Sequence, residues 1–300
     1  MQVEAVVLDI DGVLVDVSNS YRRAIVTAVE VVYGETIPKA GVQSFKNAGG
    51  FNNDWVVTDA VALYVLAKAE GLELDLEAFT DDIEAAGGGR EGAQTVLRNR
   101  LSEETVEGIM EQFDPDRLRT VFQQLYLGPT GYRELEGGEP DLYQDGSSEA
   151  LDLPADGFMA NEPILATSET LETLSAAYDL GVVTGRPRAE ARLALDRVGL
   201  EIPDDRLFAM EDGPGKPHPD NLITVAEQCD SSALAFAGDT LDDIRTAKNA
   251  AQEDSERSYF GIGVLTGGLT GEAGRAAFRN VGADDVIESI NELPGALESL

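Results

Sequence analysis

The chain has 300 residues, 43% of them hydrophobic, enough for one large domain or two smaller ones with a substantial core. Its 22 basic and 56 acidic residues give a formal net charge of −34, so no basic stripe exists to neutralise phosphates and nucleic acid is excluded as a partner. One cysteine, Cys229, rules out an internal disulfide or a cysteine-based zinc cluster, and one histidine, His218, rules out a histidine-rich metal site.

The first element is the apolar run Ala5-Val6-Val7-Leu8, read as a buried strand that ends in Asp9-Ile10-Asp11-Gly12. Residues i and i+2 of an extended strand share a face, so Asp9 and Asp11 can work on one bound group. Open α/β sheets bind ligands at that carboxyl edge. One acid can attack while its neighbour handles protons, with a divalent cation reducing their repulsion. Taken alone, the same residues are ordinary turn formers.

From about residue 17 to 160 the periodicity is mostly helical. Tyr21, Ile25, Ala28, Val29 and Val32 recur at helix spacing before Gly34, and Trp55, Val56, Ala60, Leu63, Leu66 and Ala67 mark a second helix that ends near Gly71. Further helices are predicted over 76–85, 92–101, 103–113 and 115–127. Residues 128–158 are rich in Gly, Pro, Asp and Ser and read as an irregular connection, long enough to raise the question of a lid.

Beyond residue 165 helices alternate with strands. Helices are predicted over 168–178, 187–198, 219–228 and 242–250, and strands over 180–183, 207–210, 234–237 and 259–264. Two more helices flank Asp285-Val286-Ile287. Such alternation predicts an α/β fold, a parallel sheet with helices on both faces.

Three further segments carry chemistry. Val182-Val183-Thr184-Gly185-Arg186-Pro187 is an apolar run ending in a hydroxyl and a glycine. Lys216 lies in Gly215-Lys216-Pro217-His218-Pro219-Asp220. Leu234-Ala235-Phe236-Ala237-Gly238-Asp239-Thr240-Leu241-Asp242-Asp243 is a second apolar run ending in acids. Thr184 also suits an ordinary helix N-cap, and Lys216 an ordinary solvated loop.

Together with Asp9-Ile10-Asp11-Gly12, and in this order, these segments resemble the four motifs of the haloacid dehalogenase (HAD) superfamily. The resemblance covers roughly residues 1–16 and 160–290. It implies a Rossmann-like core (1–16 and 160–300) with the first strand central. The helical insert (17–159, including the irregular 128–158) would be a C1 cap of subfamily IA, in a branch of haloarchaeal type, with a cap longer than usual. Phosphoglycolate phosphatase-like proteins and β-phosphoglucomutase are similar in layout.

The same resemblance implies roles for the residues. Asp9 is the nucleophile, forming an aspartyl-phosphate. Asp11 is the general acid and then the base, a contribution of about 10²–10⁴-fold. The dehalogenases of the superfamily generally lack an acid at the Asp11 position, so Asp11 favours phosphate-ester hydrolysis over carbon–halogen cleavage. The Thr184 hydroxyl and the backbone N–H groups around Gly185 bind the phosphoryl group, and Lys216 balances the charge of Asp9 and the phosphate. Mg²⁺ is held by Asp9, Asp239 and the Asp11 carbonyl, with Asp243, rather than Asp242, as the second acid, acting through water or Lys216.

Substrate choice falls to the cap. Asn52 and Asn53, in Gly49-Gly50-Phe51-Asn52-Asn53-Asp54, read either as a ligand-contact loop or as helix N-caps. Arg90, after Gly87-Gly88-Gly89, reads either as an anion grip or as part of a flexible link. Arg22, Arg23 and Arg186 are expected near the mouth of the site, as anion contacts or as surface ion-pair partners.

The reading that results is a Mg²⁺-dependent phosphatase for a small phosphorylated metabolite. The alternatives are a phosphomutase and a non-catalytic phosphometabolite-binding protein, the latter disfavoured because Asp9, Asp11, Lys216 and Asp239 are all present. No apolar run approaches the ~18 residues of a membrane helix, and the N-terminus shows no basic-then-apolar signal pattern, so a soluble cytoplasmic protein is expected. Dispersed acids, five lysines and few aromatics match a chain adapted to high salt, where a Debye length of about 3 Å screens self-repulsion.

Overall fold

Ala5–Leu8 is buried along its whole length, as a strand covered on both faces must be. The computed structural model describes residues 1–51, 53–144 and 153–299. Numbered along the chain, the strands are β1 (Gln2–Val3), β2 (Ala5–Leu8), β3 (Asp179–Val183), β4 (Leu207–Phe208), β5 (Ala233–Gly238), β6 (Ser258–Val264), β7 (Asp285–Ile287) and β8 (Glu298–Ser299). Six of them form one parallel sheet in the order β4-β3-β2-β5-β6-β7, while β1 and β8 pair separately.

The chain builds outward from β2 in one direction to β3 and β4, and in the other from β5 to β6 and β7. The switch point therefore lies between β2 and β5, and in such sheets the crevice beyond the carboxyl ends at that point is where ligands bind. Register fixes what is presented there. Leu8 pairs with Val182 on one side and Ala237 on the other, so Asp9, Thr184 and Asp239 all follow strands that end at the same edge.

Helices cover the sheet. Leu222, Val225 and Ala226 of Asp220–Gln228, and Ala247 and Ala250 of Leu241–Glu253, share a buried cluster with Ala5, Val7, Leu234 and Phe236. Burying each large apolar side chain of this kind contributes roughly 1.5–3 kcal/mol, which makes the sheet a rigid base for the loops at its edge.

The chain divides into two compact units, residues 1–18 with 162–300, and residues 19–161. The second unit is helical: Ser20–Tyr33, Val42–Asn47, Asp54–Ala69, Leu76–Ala85, Gly89–Arg100, Glu103–Gln112 and Pro115–Glu136. Asp54–Ala69 is its central helix, buried from Val57 to Ala67. Phe45, Tyr64 and Phe79 form one aromatic cluster, and Tyr21, Phe122 and Tyr126 another.

Some elements differ from the sequence-based expectation. The irregular connection does not begin at residue 128: Gly128 (φ 70°, ψ 177°) interrupts the helix, which resumes at Pro129 and runs to Glu136. Proline suits the first turn of a helix, so the Gly-Pro pair is a kink between two helices and not the start of a loop. Residues 145–152 of the expected lid lie outside the described residues. The strand expected over 207–210 stops at Phe208, because the Met210 N–H turns away to the Arg186 carbonyl (2.9 Å).

Candidate active site

The loop after β2 is built to turn sharply while presenting acids. The N–H groups of Val13, Leu14 and Val15 all donate to the Ile10 carbonyl, and Gly12 takes φ +70° with its N–H on the Val15 carbonyl. Asp9 is buried, its Oδ1 accepting the Ile10 N–H (2.7 Å) and its Oδ2 accepting Lys216 Nζ (2.6 Å).

Lys216 is the hub. The same Nζ lies 2.5 Å from Oδ1 of Asp243, whose side chain is fully buried. Asp243 is fixed in turn by a capping box: its Oδ2 accepts from the Thr240 N–H (2.8 Å) and hydroxyl (2.7 Å) at the start of Leu241–Glu253. The neighbouring Asp242 instead pairs with Arg245 (2.8 Å) on the exposed side of the helix. The geometry thus separates the two adjacent acids, with Asp243 facing the site.

Three carboxylates converge here. Asp9, Asp239 and Asp243 each offer an oxygen, all within 4.8 Å of one another. Burial is the main force pushing Asp9 up to about 6; Lys216 opposes it, while Asp243 and Asp11 reinforce it. Burial also raises Asp239 well above the usual carboxylate range, with the charges of Asp9 and Asp243 adding to it. Burial disfavours the Lys216 ammonium, but Asp243 and Asp9 outweigh that and hold it charged.

One ammonium for three close carboxylates leaves negative charge uncompensated. An all-oxygen donor set with that deficit fits Mg²⁺, which prefers carboxylates and water to nitrogen or sulfur. Glycines let the acids approach. A Cβ at Gly267 would stand 1.8 Å from Asp239 Oδ2, one at Gly12 2.3 Å from the same atom, and one at Gly238 2.2 Å from Asp243 Cγ. Thr266 ties this region to the first loop by donating its hydroxyl to the Gly12 carbonyl (2.5 Å). Sequence reasoning missed Thr266 and Gly267; the Thr266-Gly267-Gly268 run, two residues past the end of β6, was the signal available.

Thr184 is buried at the end of β3, its N–H on the Phe208 carbonyl (2.9 Å) and its hydroxyl accepting the Arg186 N–H (3.3 Å). Gly185 follows it, with open space where a Cβ would be. Arg186 is placed differently from the expected mouth position. Its side chain is fully buried, with Nε donating to Asp11 and NH2 donating to Glu162 (3.0 Å). Glu162 is itself fully buried and was not anticipated. Its partner lies 24 residues away, beyond any local pattern in the sequence.

Of the residues proposed to contact substrate, Gly185 and Arg186 lie in the first unit, whereas Asn53 and Arg90 lie in the second. Asn53 caps the helix Asp54–Ala69, its side chain accepting the Val56 N–H (3.0 Å). Arg90 pairs with Asp59 at 3.1 Å, its side chain half exposed. Asn52 lies outside the described residues. The two glycine runs meet each other: the Gly89 N–H donates to the Gly49 carbonyl (2.9 Å), and a Cβ at Gly88 would stand 2.3 Å from the Gly49 oxygen. Close backbone packing therefore accounts for Gly50, Gly88 and Gly89. Arg22 donates to Gln43 (2.5 Å) and Arg23 stacks over Phe158 (4.3 Å).

Residues 3–251 match the haloacid dehalogenase-like hydrolases. The chain belongs to that family. A curated relative, an imidazoleglycerol-phosphate dehydratase from Phytophthora nicotianae, is 28% identical over 251 residues, 83% of this chain but 42% of the relative's length. The chain thus spans less than half of that protein.

Among solved structures, phosphatase Tt82 from Thermococcus thioreducens superposes with a TM-score of 0.62 at 21% identity over 97% of both chains. A predicted phosphoglycolate phosphatase from Haemophilus somnus superposes with a TM-score of 0.54 at 16% identity, over 99% of this chain and 98% of that one. These similarities establish the HAD fold. No helix among the described residues is long and apolar enough to cross a membrane.

Proposed function

We propose that this HAD hydrolase is a Mg²⁺-dependent phosphatase that acts on a small phosphorylated metabolite through an aspartyl-phosphate on Asp9. The observation that carries the reading is the joint geometry of Lys216, bridging Asp9 and Asp243 beside Asp239, with Asp11 two residues beyond Asp9 at the switch point of the sheet.

An oxygen of Asp9 attacks phosphorus while the bond from phosphorus to the leaving alcohol breaks. The electron pair of that bond takes the proton of the Asp11 carboxyl. In the second step Asp11, now a carboxylate, takes a proton from water, whose oxygen attacks phosphorus. The bond to Asp9 breaks, releasing inorganic phosphate and restoring both side chains. Lys216 holds Asp9 in place and opposes the negative charge gathering around it. Thr184 and the amide of Gly185 orient the phosphoryl oxygens.

Asp9, Asp239 and the Asp11 carbonyl would hold Mg²⁺, with Asp243 acting through water or Lys216, and the ion's charge would lower the repulsion between the phosphate and the acids. Residues 19–161 act as a subfamily IA C1 cap that selects the substrate, in a cytoplasmic, salt-adapted protein of haloarchaeal type. The dehydratase activity named for the Phytophthora relative is not carried over, because this chain spans only part of that protein.

The test is turnover of a panel of phosphate monoesters at molar KCl with Mg²⁺. Turnover should disappear with a chelator and return when Mg²⁺ is restored. A folded protein without turnover across the panel contradicts the reading.

A further inference from the structure

We infer that Arg186 and Glu162 are positioning residues that hold Asp11 as the proton donor, an inference that rests on the phosphatase reading above. The two cations of the site divide the acids between them. Lys216 contacts Asp9 and Asp243, whereas Arg186 contacts Asp11 through Nε. The arginine is not open to a ligand; its side chain is fully buried. Its other end is anchored by NH2 on Glu162 Oε2 (3.0 Å), and Glu162 is fully buried as well. Arg197 closes the chain, donating to the Glu162 carbonyl (2.7 Å), with NH1 3.7 Å from Oε2.

A planar guanidinium clamped between two carboxylates has a fixed direction, which a lysine would not provide. The backbone of Arg186 is also fixed, its carbonyl accepting the Met210 N–H (2.9 Å). Independently, the segment carrying Glu162 is hydrogen-bonded to the loop carrying Asp11. The Asp16 N–H donates to the Pro163 carbonyl (2.9 Å), the Leu165 N–H donates to the Leu14 carbonyl (2.8 Å), and Val15 forms a bridge with Ile164. Asp11, Arg186 and Glu162 thus belong to one braced assembly. Arg186 engages Oδ1 of Asp11, which fixes the direction of the carboxyl group and leaves Oδ2 as the oxygen for proton transfer.

The test is the dependence on leaving group, because a residue that merely supports the fold would affect all substrates alike. p-Nitrophenolate leaves with little need of a proton; an alkoxide needs one. The kcat/KM values for p-nitrophenyl phosphate and for an alkyl phosphate are compared in the unsubstituted protein, Asp11→Asn, Arg186→Lys and Glu162→Gln, each checked for folding by circular dichroism. Asp11→Asn should lose about 10²–10⁴-fold on the alkyl phosphate and far less on the aryl one.

Arg186→Lys and Glu162→Gln should show the same bias, with a loss about tenfold or more greater on the alkyl phosphate. Equal losses on both substrates in either folded variant, or no loss, with the bias intact in Asp11→Asn, overturn the inference alone. Absence of bias in Asp11→Asn, or of all turnover in the unsubstituted protein, overturns the phosphatase reading and this inference with it.

Discussion

At the scale of residues, the site is an arrangement of acids kept close by one lysine and three glycines. Asp9 is pushed up to about 6 from the ordinary 3.8, chiefly by burial. A carboxyl raised on folding binds its proton more tightly in the native state, so between about pH 4 and pH 6 native stability falls as pH rises. A divalent ion must displace that proton. The apparent Mg²⁺ affinity should therefore rise from about pH 5 through about pH 7, and the raised Asp239 carboxyl adds to the same dependence. Calorimetric titration at constant KCl measures this, and Asp9→Asn should weaken binding and flatten the curve. An unsubstituted protein whose Mg²⁺ affinity is constant across that range contradicts the assignment of Asp9 as a ligand.

At the scale of elements, glycines decide where backbone can approach backbone. Gly128 combines φ +70° with a site where a Cβ would stand 2.4 Å from the Asp156 carbonyl carbon. Gly128→Ala should lower stability by roughly 1–3 kcal/mol, measured by chemical denaturation; an unchanged midpoint contradicts the kink as described. The position also shows what the sequence conceals. The buried runs of β2, β3, β5 and β6 were legible because strands covered on both faces leave continuous apolar stretches. Asp9, Asp11, Thr184, Lys216, Asp239 and Asp243 could be picked out because their four segments, in order, resemble the HAD motifs; each segment alone reads equally as a turn, a cap or a loop. Gly128-Pro129 reads equally as loop or as helix restart, and only the packing of Asp156 and Gly157 against it decides. The burial of Arg186 and its pairing with Glu162 depend on contact across distant segments. The Gly49 and Gly88 runs were likewise ambiguous until their mutual contact was seen.

At the scale of the whole molecule, the charge of −34 is spread over both units. Among the described residues, ion pairs such as Arg133–Glu139 and Arg245–Asp242 have both partners exposed, where each contributes about 0–1 kcal/mol. They cannot offset the surplus of acids in dilute buffer. Raising KCl from about 0.1 M to about 1 M shortens the Debye length from about 10 Å to about 3 Å, so Tm should rise, as differential scanning calorimetry would record. A Tm that is unchanged or lower contradicts salt adaptation. The central claim, that the HAD core transfers a phosphoryl group to Asp9, is tested most directly by acid-quenching a single turnover and mapping the phosphoryl group by peptide mass spectrometry. The account predicts a transient phosphoryl group on the peptide containing Asp9, absent in Asp9→Asn. Turnover with that peptide unmodified at every quench time, and retained in Asp9→Asn, would contradict it.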